Sequence, residues 1–142
     1  MTAFTDTVDW TKTGRADPHT VSYFRELLGL WLDDAVAIDP QRHADIVLAV
    51  DEALANCAEH AYRGTAPGVM TLRVGHDVRE ATVSVCVTDR GAWVDSTPAQ
   101  AGRRGRGMDL MRALADHCSI EGSARGTTVC LRFDRCPAPR LD

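Results

Sequence analysis

Two polar side chains placed one turn apart on a predicted helix are the strongest sign of chemistry in this chain. Residues 51–62 read DEALANCAEHAY, and small or apolar residues recur there at steps of three and four, which predicts a helix. At about 100° per residue, Glu52, Asn56 and Glu59 share the face opposite the apolar stripe. A carboxylate beside a carboxamide can supply a proton acceptor and a hard ligand for a metal ion. The same pattern also describes the wet side of an ordinary amphipathic helix, so the helix alone leaves both interpretations open.

Three glycine-containing segments follow this helix along the chain. They are Asp89-Arg90-Gly91-Ala92, Gly105-Arg106-Gly107-Met108 and Gly126-Thr127-Thr128. With the helix, they stand in the order and at the approximate spacing of the ATP-binding motifs of the Bergerat-type ATPases, the superfamily of gyrase, Hsp90 and the histidine kinases. From about residue 4 to residue 134, the chain resembles the short members of that superfamily, the anti-sigma-factor serine/threonine kinases of bacterial partner-switching systems. Each segment alone is weak evidence, whereas all four in order on so short a chain are strong evidence.

The resemblance implies a role for each polar residue of these motifs. Glu52 corresponds to the general base that accepts the proton of a serine or threonine hydroxyl during phosphoryl transfer. Asn56 corresponds to the asparagine that binds Mg²⁺ through its carboxamide oxygen. Asp89 corresponds to the aspartate that accepts a hydrogen bond from the adenine amino group, and Gly91 lets the backbone approach the ring. A solvated glutamate and an ordinary Asp-Arg-Gly turn are the alternatives.

A second group of residues is expected at the phosphates and beside the base. Gly105, Arg106 and Gly107 combine flexible backbone with positive charge just before a predicted helix, and N–H groups at a helix start bind phosphate. Arginine there can pair with phosphate oxygens. The resemblance also places the hydroxyl of Thr127 or Thr128 near the adenine. A charged surface loop and the β-propensity of threonine are the alternatives.

One position departs from the family pattern. Trp93 stands where the family has a second glycine, two residues after Gly91. An indole there either packs over a nucleotide or obstructs the pocket, and it removes one hinge from the expected lid, residues 92–104. The resemblance implies an ATP-dependent serine/threonine kinase. Two other functions remain open: a non-catalytic nucleotide-binding module, and a stand-alone catalytic domain of the histidine-kinase type.

Composition limits the class of protein. A chain of 142 residues with 44% hydrophobic and 25% charged residues is typical of one soluble globular domain. A net charge of −4 argues against direct nucleic-acid binding. No apolar run approaches the roughly 20 residues that span a bilayer, so no membrane association is expected. The first residues have neither the basic nor the apolar region of a signal peptide, and we expect a cytoplasmic protein.

The cysteines and histidines show no metal-ligand or disulfide pattern. Five cysteines are scattered without a CxxC pair, which suits a reducing compartment better than a disulfide framework. Cys86 and Cys130 lie in strand-like runs, where a small buried thiol is expected. The five histidines also lack ligand spacing, so no structural zinc is predicted.

The remaining patterns predict the elements that must position these residues. Asp17-Pro18 and Asp39-Pro40 each pair an N-cap with a proline at the first helical position. The expected elements are a strand near residues 4–10, helices 18–36 and 40–62, strands 70–74 and 83–87 joined by a hairpin at 76–80, a helix 107–117, and strands 118–121 and 127–133. They predict an α+β domain over residues 1–136, a two-layer α/β sandwich of the Bergerat ATP-binding fold. Its helices would cover one face of a mixed, mainly antiparallel sheet, and residues 137–142 would form a frayed tail.

The resemblance also implies cofactors and partners. ATP and Mg²⁺ are the expected cofactors, and a sigma factor and an anti-sigma-factor antagonist protein are the expected partners. The protein would hold the sigma factor and phosphorylate a Ser or Thr of the antagonist, whose added charge of roughly −1.5 to −2 would release it. Homodimerisation is implied as well. The exposed side of the first helix is a candidate surface for a partner.

Overall fold

The computed structural model describes residues 8–61, 68–91 and 107–140, which form a five-stranded sheet covered on one face by helices. In chain order the elements are β1 (Trp10–Arg15), α1 (Pro18–Ala35), α2 (Pro40–Asn56) continued by a π-helical turn (Cys57–Ala61), β2 (Val69–Asp77), β3 (Thr82–Asp89), α3 (107–114), β4 (His117–Ser123) and β5 (Gly126–Phe133). The strand order is β1-β2-β3-β5-β4, and each neighbouring pair of these strands is antiparallel. The predicted α+β two-layer sandwich is confirmed, with a described sheet that is antiparallel rather than mixed.

The two long helices begin where their capping residues predict. The Asp17 carboxylate accepts a hydrogen bond of 2.8 Å from the Thr20 N–H, and Asp39 accepts one of 2.7 Å from the Arg42 N–H. Each cap satisfies an N–H group that lacks a partner within its helix. Among the helices in the described ranges, none is both long and apolar enough to cross a membrane.

The core lies between the helices and one face of the sheet. Strand residues alternate between this face and the opposite one, so every second residue of β3 and β5 points to the helices. The side chains with no more than 2% exposure include Phe24, Leu28, Leu32, Ile46, Val50, Leu54, Met70, Leu72, Val74, Val83, Val85, Val87, Val129, Leu131 and Phe133. Burial of each of these side chains stabilises the folded state by about 1.5–3 kcal/mol. This packing holds the C-terminal half of α2 against the end of β3.

The first strand lies further along the chain than its alternation predicted. The expected strand was near residues 4–10, whereas β1 starts at Trp10, which pairs with Val74, and ends at Arg15. Residues 1–7 lie outside the described residues. The sequence of β1 has little alternation because it is an edge strand. At Gly14, an added Cβ would lie 2.8 Å from Thr20 and 3.2 Å from Phe24, so the strand packs closely against α1.

The hairpin between β2 and β3 is tighter than predicted. His76 was expected in the connection, but it lies within β2, where its side chain is 8% exposed and its Nε2 lies 2.7 Å from the Cys136 carbonyl oxygen. The turn occupies residues 78–81, and Ala81 there has a φ of 54°. Burial of a histidine beside the C-terminal segment is a tertiary contact, and the local pattern carries no sign of it.

Cys86 and Cys130 form a disulfide, so the expectation that they are separate thiols is wrong. They are direct partners in the register of β3 and β5, with Cα atoms 4.1 Å apart, although 44 positions separate them in the sequence. Cys57, Cys118 and Cys136 are free. Sequence spacing could not reveal the pair because only the placement of β5 beside β3 brings the two together.

The end of the chain packs against the far end of the sheet from Asp89. The Cys136 N–H donates a hydrogen bond of 2.7 Å to the Ala81 carbonyl, and the Ala37 N–H donates one of 2.8 Å to the Pro137 carbonyl. Cys136 is fully buried. The anchored part of the chain therefore includes Pro137, the first residue of the predicted tail.

Candidate functional site

Glu52 and Asn56 lie on a covered face of α2. Asn56 is 6% exposed, and its Nδ2 has no hydrogen-bond partner within the described residues. Glu52 is half-buried. The interpretation of this face as the wet side of an amphipathic helix is therefore wrong for Asn56. A buried amide without a partner is costly, which marks the place as one where a ligand could complete the hydrogen bonding.

The start of α3 covers this face, and Gly107 makes the close approach possible. A Cβ atom built at Gly107 would lie 3.1 Å from Glu52 Oε2, 3.6 Å from Asn56 Nδ2 and 3.8 Å from Asn56 Oδ1. A larger side chain would fill the space in front of both polar groups. The predicted phosphate-binding glycine and the predicted base and metal ligand therefore meet at one point.

The environment of Glu52 favours its protonated form more than water does. Burial, followed by the negative charges of Asp51 and Glu59, raises the pKa of its carboxyl group. Burial and nearby like charge both penalise the ionised form. A carboxylate with a raised pKa is a stronger proton acceptor, which is the property that a general base needs.

Asp89 is held at the end of β3 from two sides. It is 2% exposed. Its Oδ1 accepts a hydrogen bond of 3.1 Å from the Gly91 N–H, and its Oδ2 accepts one of 3.2 Å from the Cys57 thiol. Because Cys57 follows Asn56 directly, this contact joins the end of α2 to the end of β3.

The start of β5 completes the same end of the sheet. Thr127 is 4% exposed and is the register partner of Asp89. Gly126 has a φ of +149°, and a Cβ there would lie 2.2 Å from the Asp89 carbonyl oxygen. Thr128 lies on the opposite face of the sheet, where its hydroxyl is 3.3 Å from that of Thr88. Successive strand residues point to opposite faces, so Thr127 is the threonine that belongs with Asp89.

The fold thus brings together most of the residues that the motifs predicted. Glu52, Asn56, Asp89, Gly91, Gly107 and Thr127 lie at one end of the molecule. Gly105, Arg106 and Trp93, with the rest of the expected lid, lie outside the described residues. Sequence reasoning missed Cys57, whose only sign was its position beside Asn56. It included Gly126 in a motif but gave that glycine no role of its own.

The residues present fit a nucleotide and a magnesium ion. The amide of Asn56, with its unpartnered Nδ2, and the space kept open by Gly107 lie at one part of the site, and the buried carboxylate of Asp89 lies at another. In the described ranges, no group of three histidine, cysteine, aspartate or glutamate side chains could hold a metal by itself. Mg²⁺ commonly takes one or two protein oxygens together with substrate phosphates, and Asn56 suits that mode of binding.

Comparisons with known proteins agree with this geometry. Residues 14–133 match the model of the histidine kinase-like ATPase domain. Among curated proteins, the chain is 29% identical over 108 residues to the anti-sigma F factor of Caldanaerobacter subterraneus subsp. tengcongensis, covering 67% of this chain and 73% of that protein.

Solved structures show the same fold. The RsbU and RsbW domains of Rv1364c from Mycobacterium tuberculosis match with a TM-score of 0.68 and 26% identity, over 94% of this chain and 35% of that one. A blue-light activated histidine kinase from Erythrobacter litoralis matches with a TM-score of 0.61 and 19% identity, over 80% of this chain and 41% of that one. The chain therefore belongs to the histidine kinase-like ATPase domain family, and it is similar to an anti-sigma F factor and to a structure that contains an RsbW domain.

Proposed function

We propose that this protein is an anti-sigma regulator that binds ATP with Mg²⁺, sequesters a sigma factor and phosphorylates a serine or threonine of an antagonist protein. The meeting of Glu52, Asn56 and Gly107 supports the proposal most, because a carboxylate and a buried amide lie together at the start of a helix. The relationship to an anti-sigma F factor and the similarity to an RsbW domain support the regulatory role. In this proposal the protein acts in the cytoplasm as a homodimer.

Each residue of the site has one task in this mechanism. Asp89 would accept a hydrogen bond from the adenine amino group, with Gly91 and Thr127 beside it. Asn56 would hold Mg²⁺ through its carboxamide oxygen, and the bound ion would neutralise charge on the phosphates. The N–H groups at the start of α3, with Gly105 and Arg106 before it, would contact phosphate oxygens.

Glu52 would act on the phosphoryl acceptor. It would accept the proton of the antagonist's hydroxyl group as the hydroxyl oxygen bonds to the γ-phosphorus and the bond to the departing ADP oxygen breaks. Because its pKa is raised, Glu52 is a better acceptor than an ordinary glutamate but becomes protonated at a higher pH.

The test combines nucleotide binding with phosphate transfer. The purified chain is incubated with γ-labelled ATP, Mg²⁺ and candidate antagonists encoded nearby, and ATP affinity is measured by calorimetry. We expect Glu52→Ala to reduce transfer by about 100-fold or more while ATP still binds. The transfer rate of the wild type should fall on acidification at a pH above the ordinary glutamate value of 4.5. Glu80→Ala, at an exposed position in the opposite β2–β3 turn, is the control and should retain full transfer.

Two other functions are decided by the same experiment. Trp93 in place of a glycine favours a module that binds nucleotide without transferring phosphate, and tight ATP binding by a wild type that transfers none would establish it. A catalytic domain of the histidine-kinase type would give an acid-labile product. Failure of the wild type to bind ATP at all would overturn the proposal.

A further inference from the structure

The Cys57 thiol lies between the two halves of the candidate site. Its Sγ is 3.2 Å from Asp89 Oδ2, and both residues are almost fully buried, with exposures of 1% and 2%. Cys57 follows the last residue of α2, and Asp89 ends β3. This hydrogen bond therefore connects the Asp89 side chain, at the end of the sheet, to the end of the helix that carries Glu52 and Asn56.

The Cys57 thiol is the donor of this hydrogen bond, and the Asp89 carboxylate oxygen is its acceptor. A hydrogen bond to a charged acceptor is stronger than one between neutral groups.

Two hydrogen bonds from different elements hold the two oxygens of the Asp89 carboxylate. The Gly91 N–H contacts Oδ1, and the Cys57 thiol contacts Oδ2. The Gly91 contact comes from the residues that directly follow β3, whereas the Cys57 contact comes from the end of α2. The carboxylate is therefore held from the helix as well as from the end of its own strand.

We infer that Cys57 is a positioning residue, which orients Asp89 so that the site selects a base carrying an amino group. The inference rests on the proposed function, in which Asp89 accepts a hydrogen bond from the adenine amino group. Cys57 itself would not touch the nucleotide. Its effect would appear as discrimination between a base with an amino group and a base with a carbonyl at that position.

The test compares ATP with inosine triphosphate, which carries a carbonyl in place of the amino group. Affinities of the full chain for both nucleotides are measured by calorimetry with Mg²⁺. We expect Cys57→Ala to weaken ATP binding by about three- to tenfold, as for the loss of one hydrogen bond, and to change inosine triphosphate binding less than twofold. Cys57→Ser, which restores a donor, should recover most of the preference for ATP.

Cys136→Ala is the matched control. Cys136 is also a free and fully buried cysteine, but its thiol donates to the Asp134 carbonyl, away from Asp89. This variant should lose stability without changing the ratio of the two affinities. If Cys57→Ala does not fold, Cys57→Val, which keeps the volume and removes the donor, gives the same comparison.

The outcomes separate this inference from the proposed function. A wild type that prefers ATP, with a reduced preference in Cys57→Ala, supports both. A wild type that prefers ATP, with an equal preference in Cys57→Ala, overturns the positioning role and leaves the proposed function standing. A wild type that binds neither nucleotide overturns both.

Discussion

Gly126 shows how strongly a single residue can be constrained at this site. Its φ of +149° lies in a region that residues other than glycine rarely adopt. A Cβ there would lie 2.2 Å from the backbone oxygen of Asp89. The contact involves backbone on both sides, so no rotamer change could relieve it. The glycine therefore allows β5 to start close enough to β3 for Thr127 to pair with Asp89.

Gly126→Ala should lower the free energy of unfolding by about 2 kcal/mol or more, because it combines backbone strain with a steric clash. Urea denaturation followed by circular dichroism measures the change. Gly29→Ala, within α1, is the control, since its Cβ would meet only His43 Cε1 at 3.7 Å. That variant should gain about 0.5–1 kcal/mol of stability from helix propensity. Equal stability of the two variants would contradict the strained geometry at Gly126.

At the scale of elements, α2 connects the two ends of the sheet. Its C-terminal half carries Glu52 and Asn56 to the candidate site. Near its start, Arg42 Nη2 donates to the Asp116 carboxylate and, at 2.7 Å, to the Asp134 carbonyl. The guanidinium also lies 5.7 Å from the centre of the Phe133 ring. These contacts tie the helix to the segment before β4 and to the end of β5.

The pKa of Asp116 gives this connection a pH dependence. Burial by itself raises the pKa, but hydrogen bonds from the Asp134 N–H and from Arg42 outweigh burial, so the net pKa lies below 3.8. A carboxyl group with a depressed pKa stabilises the fold above its unfolded value and loses that contribution as the pH falls through its folded value. This contribution is therefore complete at neutral pH and is lost progressively as the pH falls below about 3.8.

Asp116→Asn should lower the free energy of unfolding at pH 7 by about 1–3 kcal/mol, because the half-buried Arg42 loses its charged partner. The difference between variant and wild type should shrink as the pH falls below 3.8. Denaturation curves at several pH values provide the measurement. Asp45→Asn removes only the charge of an exposed acceptor of Gln41 and should change stability by less than about 0.5 kcal/mol. A difference that persists unchanged in acid would show that the charge of Asp116 is not its source.

At the scale of the whole molecule, the sheet brings distant segments into contact. β3 and β5 are neighbours, although α3 and β4 come between them in the sequence. That order places Cys86 opposite Cys130 and, three residues further on, Asp89 opposite Thr127. The disulfide therefore lies on the two strands that carry Asp89 and Thr127.

We expect the oxidised protein to be two hydrogens lighter than the reduced protein by intact mass, with Cys86 and Cys130 linked in its peptide map. Replacing both cysteines with alanine should lower the free energy of unfolding by about 2–4 kcal/mol under oxidising conditions, because the bond closes a long loop. With reductant present, the free energy of unfolding of the wild type should fall close to that of the double variant. Cys118→Ala, at a free and partly exposed cysteine, is the control. The pairing would be contradicted if all five cysteines react with a thiol reagent in denatured protein that has not been exposed to reductant.

Local patterns in the sequence determined a large part of this protein. The two Asp-Pro caps located the starts of α1 and α2, and strand alternation located β2, β3 and β5, because these features depend on neighbours within a few residues. The order of the polar motifs also identified the family. The extent of β1 and the burial of His76 were misjudged because contacts with distant segments define both.

Only the tertiary structure decided which side chains meet. It placed Gly107 over Glu52 and Asn56, joined Cys86 to Cys130, and separated Thr127 from Thr128 by the sheet between them. It also brought the Cys57 thiol to Asp89, a contact across 32 positions of sequence. Periodicity reports which face of an element a residue occupies, but the partner on that face depends on how the layers pack. That packing is a property of the whole chain, and no short stretch of sequence contains it.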